Sequence, residues 1–290
     1  MKKLLACALA MLVLCAATAL GEIGDRLSVV NCNEFITLRE EPNTSAAALA
    51  RMPLGAGVDE VGWSENGFVK VCYRGQTGYA LSRYLSVDQS YRGSEVDLSQ
   101  DERYSINLFL SNFTEVGFVW PSGCYDKRWV DRALLTRFAI DHCWFNRQNR
   151  LEWGEYFDYN NVRLPKSQIA PIVKKYFDLD IEPSDHPQYM DYSAGYYYWQ
   201  ETGGHTNDGF ACLDRVEALG GNRYSVWFNI YGMGEGWSSD VCYYTQAQAR
   251  RIYPVAGLES TGRAVIRTGS AGLSDRSGWS LERFTVDRDF

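Results

Sequence analysis

Histidine and metal-binding motifs are scarce in this sequence. Three histidines occur in 290 residues, His142, His186 and His205, and no two of them stand at the spacing of metal ligands. The zinc-peptidase pattern H-E-x-x-H is absent, and no two cysteines form a C-x-x-C pair. The sequence therefore predicts no metal and no cofactor.

Positive charge is in deficit, with 29 Lys and Arg residues against 36 Asp and Glu residues and a net charge of -7. A protein that binds nucleic acid needs a basic surface, so we expect no nucleic-acid partner. Long apolar runs are missing after the first 20 residues. Because a membrane-spanning helix needs about 20 apolar residues, we expect no membrane span in the mature chain.

The one long apolar run stands at the beginning of the sequence. Lys2 and Lys3 precede an uncharged stretch that ends in Ala19-Leu20-Gly21. A positive start, an apolar run and small residues at its end are the signs of a secretory signal peptide. We expect residues 1–21 to be removed and the mature protein, beginning at Glu22, to be secreted.

Cysteines are few, and their number is informative. Removal of the signal peptide leaves six of the eight. An even number in an exported protein favours disulfide bonds over free thiols or a metal site. The six are Cys32, Cys72, Cys124, Cys143, Cys212 and Cys242.

Residues 27–87 have the pattern of a small antiparallel barrel. Apolar and polar residues alternate with a period of two, and turn residues interrupt the alternation every eight to twelve positions. Arg74-Gly75 supplies a tight turn. The predicted strands are 27–31, 35–39, 57–63, 68–73 and 76–81.

Three blocks of this segment resemble, in order and spacing, the motifs of bacterial SH3 (SH3b) domains. Phe68 and Tyr79 stand where that family often has Trp. The resemblance covers residues 27–87, about a fifth of the chain, and implies an SH3-like barrel. The blocks are ITLREEPN (36–43), AAALARMPLGAG (46–57) and GFVKV, GQTGYA and YL within 67–85.

The resemblance implies attachment without catalysis, because bacterial SH3 domains commonly bind the peptide parts of peptidoglycan. Exposed aromatic rings with charged neighbours suit such a ligand. The alternative for Phe68, Tyr79 and Leu85 is a place in the barrel core. The candidate groove residues are Arg39, Trp63, Tyr73, Tyr79 and Tyr84.

Cys32 and Cys72 are the only cysteines of the SH3-like segment. A barrel of this size buries little surface and gains from a covalent link. We therefore expect a disulfide bond between Cys32 and Cys72.

The remainder of the chain is predicted as a polar linker, residues 88–102, and an α+β domain, residues 103–290. Helices come first: one capped by Ser105, one over 129–145 and one from Ser167 to Phe177. An antiparallel sheet follows. By analogy, this order of elements suggests a cystatin-like fold, in which a sheet curls round a helix. The predicted strands are 196–200, 210–219, 224–231, 263–268 and 279–286, with a short helix over 246–252.

Catalytic motifs are missing from the second domain. Wall-cutting cysteine peptidases of the NlpC type carry a D-C-S-G-like turn, which is absent, and Cys143 lies inside a predicted helix. Glu152, Glu155 and Asp158 could form a carboxylate cluster, although such residues are more often surface groups. We therefore predict no catalytic residue.

A polar loop at 201–209 is the best candidate for a second binding site. Its glycines flank His205, Asn207 and Asp208, and loops carry function more often than cores do. Residues 107–113, NLFLSNF, resemble a segment of uncharacterised exported Firmicutes proteins, which brings no activity with it.

These observations predict a secreted or cell-wall-associated protein of a Gram-positive bacterium. Its SH3-like domain would bind peptidoglycan or another wall component, and its second domain would bind a further ligand, a glycan or a secreted protein. The alternatives are a wall hydrolase of an unrecognised type and a regulator or inhibitor of wall hydrolases.

Overall fold

The computed structural model describes residues 24–119, 123–201, 209–232, 239–252 and 257–287. The predicted signal peptide, residues 1–21, lies outside the described residues, and so do His205, Asn207 and Asp208 of the polar loop. Within the described part of the chain, no helix is both long enough and apolar enough to cross a membrane.

The SH3-like segment forms one antiparallel sheet, in which the described strands follow the order β3-β2-β6-β5-β4-β1-β7. All five predicted strands are confirmed, and β3 and β7 are additional. Closure of this sheet into a barrel stays a prediction. The strands are β1 (Arg26–Val29), β2 (Phe35–Arg39), β3 (Ala48–Pro53), β4 (Gly57–Glu65), β5 (Phe68–Tyr73), β6 (Gln76–Leu81) and β7 (Leu85–Val87).

Period-two alternation decides which side chains enter the core of this sheet. On β2, Ile36 and Leu38 are buried, whereas Phe35, Thr37 and Arg39 point outward. Two tight turns join β4, β5 and β6, and all four of their central residues have positive φ: 51° and 78° at Asn66-Gly67, and 52° and 81° at Arg74-Gly75. Positive φ at both central residues is the requirement of a type I′ hairpin turn, so the predicted turn at Arg74-Gly75 is confirmed.

The second part of the chain is rich in antiparallel sheet and has few helices. Its described helices are α1 (Gln100–Thr114), α2 (Arg132–Asn146), α3 (Lys166–Phe177) and α4 (Gln246–Ile252). Its described strands are β8 (Ser94–Glu95), β9 (Cys124–Asp126), β10 (Glu152–Trp153), β11 (Val162–Pro165), β12 (Met190–Ser193), β13 (Tyr196–Trp199), β14 (Phe210–Gly220), β15 (Arg223–Tyr231), β16 (Leu258–Arg267) and β17 (Ser280–Val286).

Two sheets share one apolar core with the helices. The larger has the order β8-β14-β15-β16-β17-β9 and the smaller the order β10-β11-β13-β12. Phe109 and Phe113 of α1 belong to this core together with Tyr197 of β13 and Phe284 of β17. The cystatin-like arrangement stays a prediction.

Helix α1 begins earlier than the sequence analysis expected. Its cap is Ser99, not Ser105: the Ser99 hydroxyl accepts a hydrogen bond from Glu102 N, and the Glu102 carboxylate accepts one from Ser99 N. This capping box satisfies amide groups that a helix start leaves without intrahelical partners. Ser105 therefore lies inside the helix.

The predicted linker does not run free between the two parts. Ser94 and Glu95 form β8 and pair with Ala218 and Glu217 of β14. The stretch before it makes one 3-10 turn over Gln89–Tyr91. The domain boundaries at 87 and 103 stay a prediction.

A disulfide bond joins the two parts of the chain and corrects the predicted pairing. Cys72 is bonded to Cys124 of β9, with a Cα–Cα distance of 6.5 Å, and Cys32 is a free thiol. The reason is strand alternation: Val71 and Tyr73 of β5 enter the core of the SH3-like sheet, so Cys72 between them faces away from that core. It meets Cys124, with Val61 of β4 beside both.

Buried charges line the same contact between the two parts. Arg26 Nη1 lies 3.0 Å from Asp59 Oδ1, and Arg283 of β17 pairs with the same carboxylate. Arg263 of β16 donates to Asp25 Oδ1 at 2.5 Å. All five side chains are buried. We call this group the buried ion cluster; it consists of Asp25, Arg26, Asp59, Arg263 and Arg283.

The buried ion cluster also changes proton affinities. Burial lowers the pKa of Arg263 to about 10, while the charge of Asp25 acts in the opposite direction. Burial, together with the charge of Asp25, raises the pKa of Glu60 to about 8. At neutral pH, Arg263 is therefore charged and Glu60 keeps its proton.

Candidate ligand-binding groove

An open groove of about 620 Å³ lies on the SH3-like part. Its floor is the outward face of β2, which presents Phe35, Thr37 and Arg39. One wall is the turn from Asn31 to Glu34, in which Asn31 has a φ of 57°. The rest of its lining is formed by Ile36, Thr44, Phe68, Leu81, Arg83 and Tyr84.

Aromatic rings and charges of both signs are close together in this groove. Phe35 is 38% exposed, and the Arg51 guanidinium stacks over its ring at 4.6 Å. The Arg83 guanidinium stacks over the Tyr84 ring at 4.8 Å. Glu34 adds a carboxylate to the lining. Such a surface offers ring faces to apolar groups and directed hydrogen bonds to polar ones.

Arg39 is held in place by the backbone. Its Nη1 donates a hydrogen bond to Ala46 O at 2.8 Å. A guanidinium has five N–H donors in a fixed plane, so a side chain anchored through one of them is pre-oriented for a carboxylate or a peptide carbonyl.

The structure brings together two of the five predicted groove residues. Arg39 and Tyr84 line the groove. Tyr73 is buried in the core of the sheet instead, with the Arg74 guanidinium 5.0 Å from its ring, because it shares the inward face of β5 with Val71. The placement of Tyr73 in the groove was therefore wrong.

The other two predicted residues, Tyr79 and Trp63, lie on strands of the same sheet, and Tyr79 is not among the described residues that line the groove. Tyr79 is half-buried on β6 and stands opposite both Arg39 of β2 and Lys70 of β5. Trp63 lies in β4, and its role stays a prediction.

Sequence reasoning missed several groove residues for which a signal existed. Phe35 and Thr37 precede Arg39 by four and two positions, so a period of two places all three on one face. The polar run from Asn31 to Glu34 marked a turn at the end of that strand. Phe68 and Leu81 meet only through the β5–β6 register, which the sequence does not show.

The second part of the chain contains a buried cluster of polar residue types that also occur in catalytic sites. His142 Nδ1 lies 3.9 Å from Glu115 Oε1, and the Asn146 amide bridges them, 2.8 Å from the carboxylate and 3.2 Å from the imidazole. The Tyr176 hydroxyl donates to Asn112 Oδ1 at 2.8 Å. This cluster joins α1, α2 and α3.

Burial governs the proton equilibria of this cluster. It raises the pKa of Glu115 and lowers the pKa of His142 to about 4, and the charges of Lys175 and Arg147 also act against protonation of His142. His142 is therefore a neutral hydrogen-bonding group at neutral pH, consistent with a structural role in packing three helices.

Cys143, next to His142, has the properties of a core residue. Its side chain is fully buried among apolar residues, and burial raises the pKa of its thiol to about 11. A cysteine nucleophile needs the thiolate and access to the substrate. The burial of Cys143 and the raised pKa of its thiol are therefore the opposite of what a cysteine nucleophile needs.

We predict that Cys143 in the folded mature protein resists alkylation by iodoacetamide at pH 7.5, whereas the half-buried Cys32 reacts much faster. The cause is the combination of full burial and raised pKa at Cys143. Mass spectrometry of tryptic peptides at increasing times gives both rates, and denatured protein serves as the control. Labelling of Cys143 as rapid as that of Cys32 would revive the hydrolase interpretation.

The antiparallel sheet of the first part has the strands expected of an SH3-like domain, and the comparison with protein families agrees. Residues 34–86 match the family described as bacterial SH3 domain, so this part of the chain is a bacterial SH3 domain.

One solved structure, "Structure of NlpC2 from Trichomonas vaginalis", aligns at 15% identity with a TM-score of 0.21. The alignment covers 71% of this chain and 64% of that one, which is less than two thirds of its length. At that TM-score the likeness carries no argument about fold or activity. No curated protein matches the chain.

Proposed function

We propose that this chain is a secreted cell-envelope protein that attaches to the wall through its bacterial SH3 domain. A domain of this kind suggests cell-wall binding. The observation that carries the finer proposal is the groove above β2, where Phe35 and Tyr84 supply rings and Arg39, Arg83 and Glu34 supply both signs of charge. A short peptide with carboxyl and amino groups matches that chemistry, and the peptide part of peptidoglycan is such a ligand.

The second domain, in this proposal, binds a further ligand, a glycan or a secreted protein, and catalyses no reaction. Support comes from the burial of Cys143 and from the closed packing of Glu115 and His142 between helices. Secretion rests on the signal peptide predicted for residues 1–21.

The groove is tested by sedimentation of the mature chain with purified insoluble peptidoglycan. We expect the wild-type protein to pellet, and Phe35→Ala and Arg39→Gln each to weaken binding about tenfold or more. Loss of one well-placed ring or guanidinium from an interface commonly costs over 1 kcal/mol, and about 1.4 kcal/mol is a factor of ten.

Arg74→Asn is the matched control for Arg39→Gln. It removes a positive charge from the same domain at the β5–β6 turn, outside the groove lining, and Asn tolerates the φ of 52° there. Binding by both groove variants at wild-type strength would show that the ligand binds elsewhere. A wild-type chain that stays in the supernatant would remove the proposal of wall attachment.

A further inference from the structure

The hairpin between β10 and β11 carries three large aromatic side chains into solvent. Trp153 is 56% exposed, Phe157 43% and Tyr159 88%. We call the segment from Trp153 to Asn161 the aromatic loop. The rings do not all share one face: Trp153 stands opposite Val162 and contacts Trp144 of α2, whereas Phe157 packs on Tyr198 on the other face of the sheet. Apolar rings gain by burial, so the exposed rings of Phe157 and Tyr159 mark a surface that is covered when a ligand binds.

The backbone of the aromatic loop is strained at its tip. Asp158 and Tyr159 have φ values of 53° and 66°, in the left-handed region that Asp enters readily but that an aromatic residue such as Tyr159 rarely adopts. Strain of this kind persists where the surroundings hold the chain in a required shape, and it is found at binding sites.

Contacts at the base of the aromatic loop supply that support. Asn160 Nδ2 donates to Asp191 Oδ2 at 2.9 Å, and the Asn161 side chain bonds both backbone groups of Glu201, at 2.7 and 2.9 Å. The Phe157 ring lies 4.7 Å from that of Tyr198 on β13. A loop fixed before binding loses less conformational entropy when the ligand arrives.

The polar side chains among the rings indicate the chemistry of the ligand. Glu155 and Asp158 are exposed carboxylates beside the rings. Glu152 pairs with Arg163 at 2.7 Å, which supplies an acceptor and a donor on the same surface. Carboxylates accept hydrogen bonds from hydroxyl groups, whereas they repel anionic polymers and anionic lipid surfaces.

We propose that the aromatic loop binds an uncharged glycan, whose pyranose rings stack their apolar faces on Phe157 and Tyr159 while their hydroxyl groups bond the neighbouring carboxylates. This inference rests on the proposed role of the second domain as a ligand-binding domain and selects the glycan over the protein ligand. It does not depend on the SH3 groove.

The test uses the full mature chain and soluble tetramers of β-1,4-linked N-acetylglucosamine and of β-1,4-linked glucose, titrated by isothermal calorimetry. We expect binding of at least one tetramer, and a loss of about tenfold or more in affinity for Phe157→Ala and for Tyr159→Ala. Both residues are exposed, so circular dichroism should show unchanged folding. Trp129→Ala is the matched control, because Trp129 is 50% exposed and lies outside the aromatic loop; it should bind as the wild type does.

Neither tetramer carries a peptide, so this experiment is separate from sedimentation with peptidoglycan. No heat of binding with either tetramer, or equal affinity in the two loop variants and the wild type, would overturn the proposal while leaving the SH3 groove untouched. Binding to phosphatidylglycerol vesicles that depends on Tyr159, without glycan binding, would replace the glycan by a membrane surface.

Discussion

Asp59→Asn is expected to lower the free energy of unfolding by about 3–5 kcal/mol, the usual result of removing one partner from a buried ion pair. The Asp59 carboxylate pairs with Arg26 at 3.0 Å and with Arg283, and all three side chains are buried. Arg26 keeps Asp126 at 3.6 Å, but Arg283 would lose its negative partner while two of its nitrogens already lack hydrogen bonds among the described residues.

Urea unfolding at pH 7, followed by circular dichroism, measures this change. Asp178→Asn is the matched control, because Asp178 is exposed in its ion pairs with Lys127 and Lys174 and has a φ of 49° that Asn tolerates. Its loss should cost less than about 1 kcal/mol, as surface ion pairs do. Equal stability of the Asp59 variant and the wild type would show that the buried ion cluster does not hold the two parts together.

Replacement of both Cys72 and Cys124 by Ala is expected to lower the free energy of unfolding by about 4 kcal/mol. The two cysteines are 52 positions apart, and closing a loop of that length restricts the unfolded chain by about this amount. The bond also ties β5 of the SH3 domain to β9 of the second part, so its loss weakens the contact between them.

Thermal and urea unfolding of the double variant give the size of this effect, with Cys32→Ala as the control. Cys32 is a free thiol, so its replacement should change stability by less than about 1 kcal/mol. Non-reducing peptide mapping of the wild type should yield a peptide pair that contains Cys72 and Cys124. A pair that contains Cys32 and Cys72 would contradict the structure and restore the pairing expected from the sequence.

Part of the candidate groove could be predicted from the sequence because it follows a local rule. Arg39 and Tyr84 come from motif blocks of bacterial SH3 domains, and the period of two extends the same face to Phe35 and Thr37. Tyr73 was misplaced because alternation says which residues share a face but not which of the two faces the core covers.

The buried ion cluster shows where prediction from sequence ends. Asp25 and Arg263 are 238 positions apart, and Arg26 and Asp59 are 33 apart. Nothing in the charge pattern marks these residues, because Asp and Arg are common on surfaces. The pairing of Arg26 with Asp59 depends on the register of β1 and β4, and that of Asp25 with Arg263 depends on how the SH3 sheet meets β16.

The sequence by itself determined the elements that depend on neighbouring residues: the five strands, the turn at Arg74-Gly75 and the bacterial SH3 domain, since alternation and turn chemistry act over a few positions. Only the tertiary structure decided that Cys72 bonds Cys124 and that residues of the expected linker form β8. It also decided that the rings of the aromatic loop are exposed to solvent while hydrogen bonds of Asn160 and Asn161 hold the base of the loop. These features depend on which surfaces meet when the chain packs. Packing is driven by the burial of apolar area, which is non-directional, so it can join residues at any distance along the sequence.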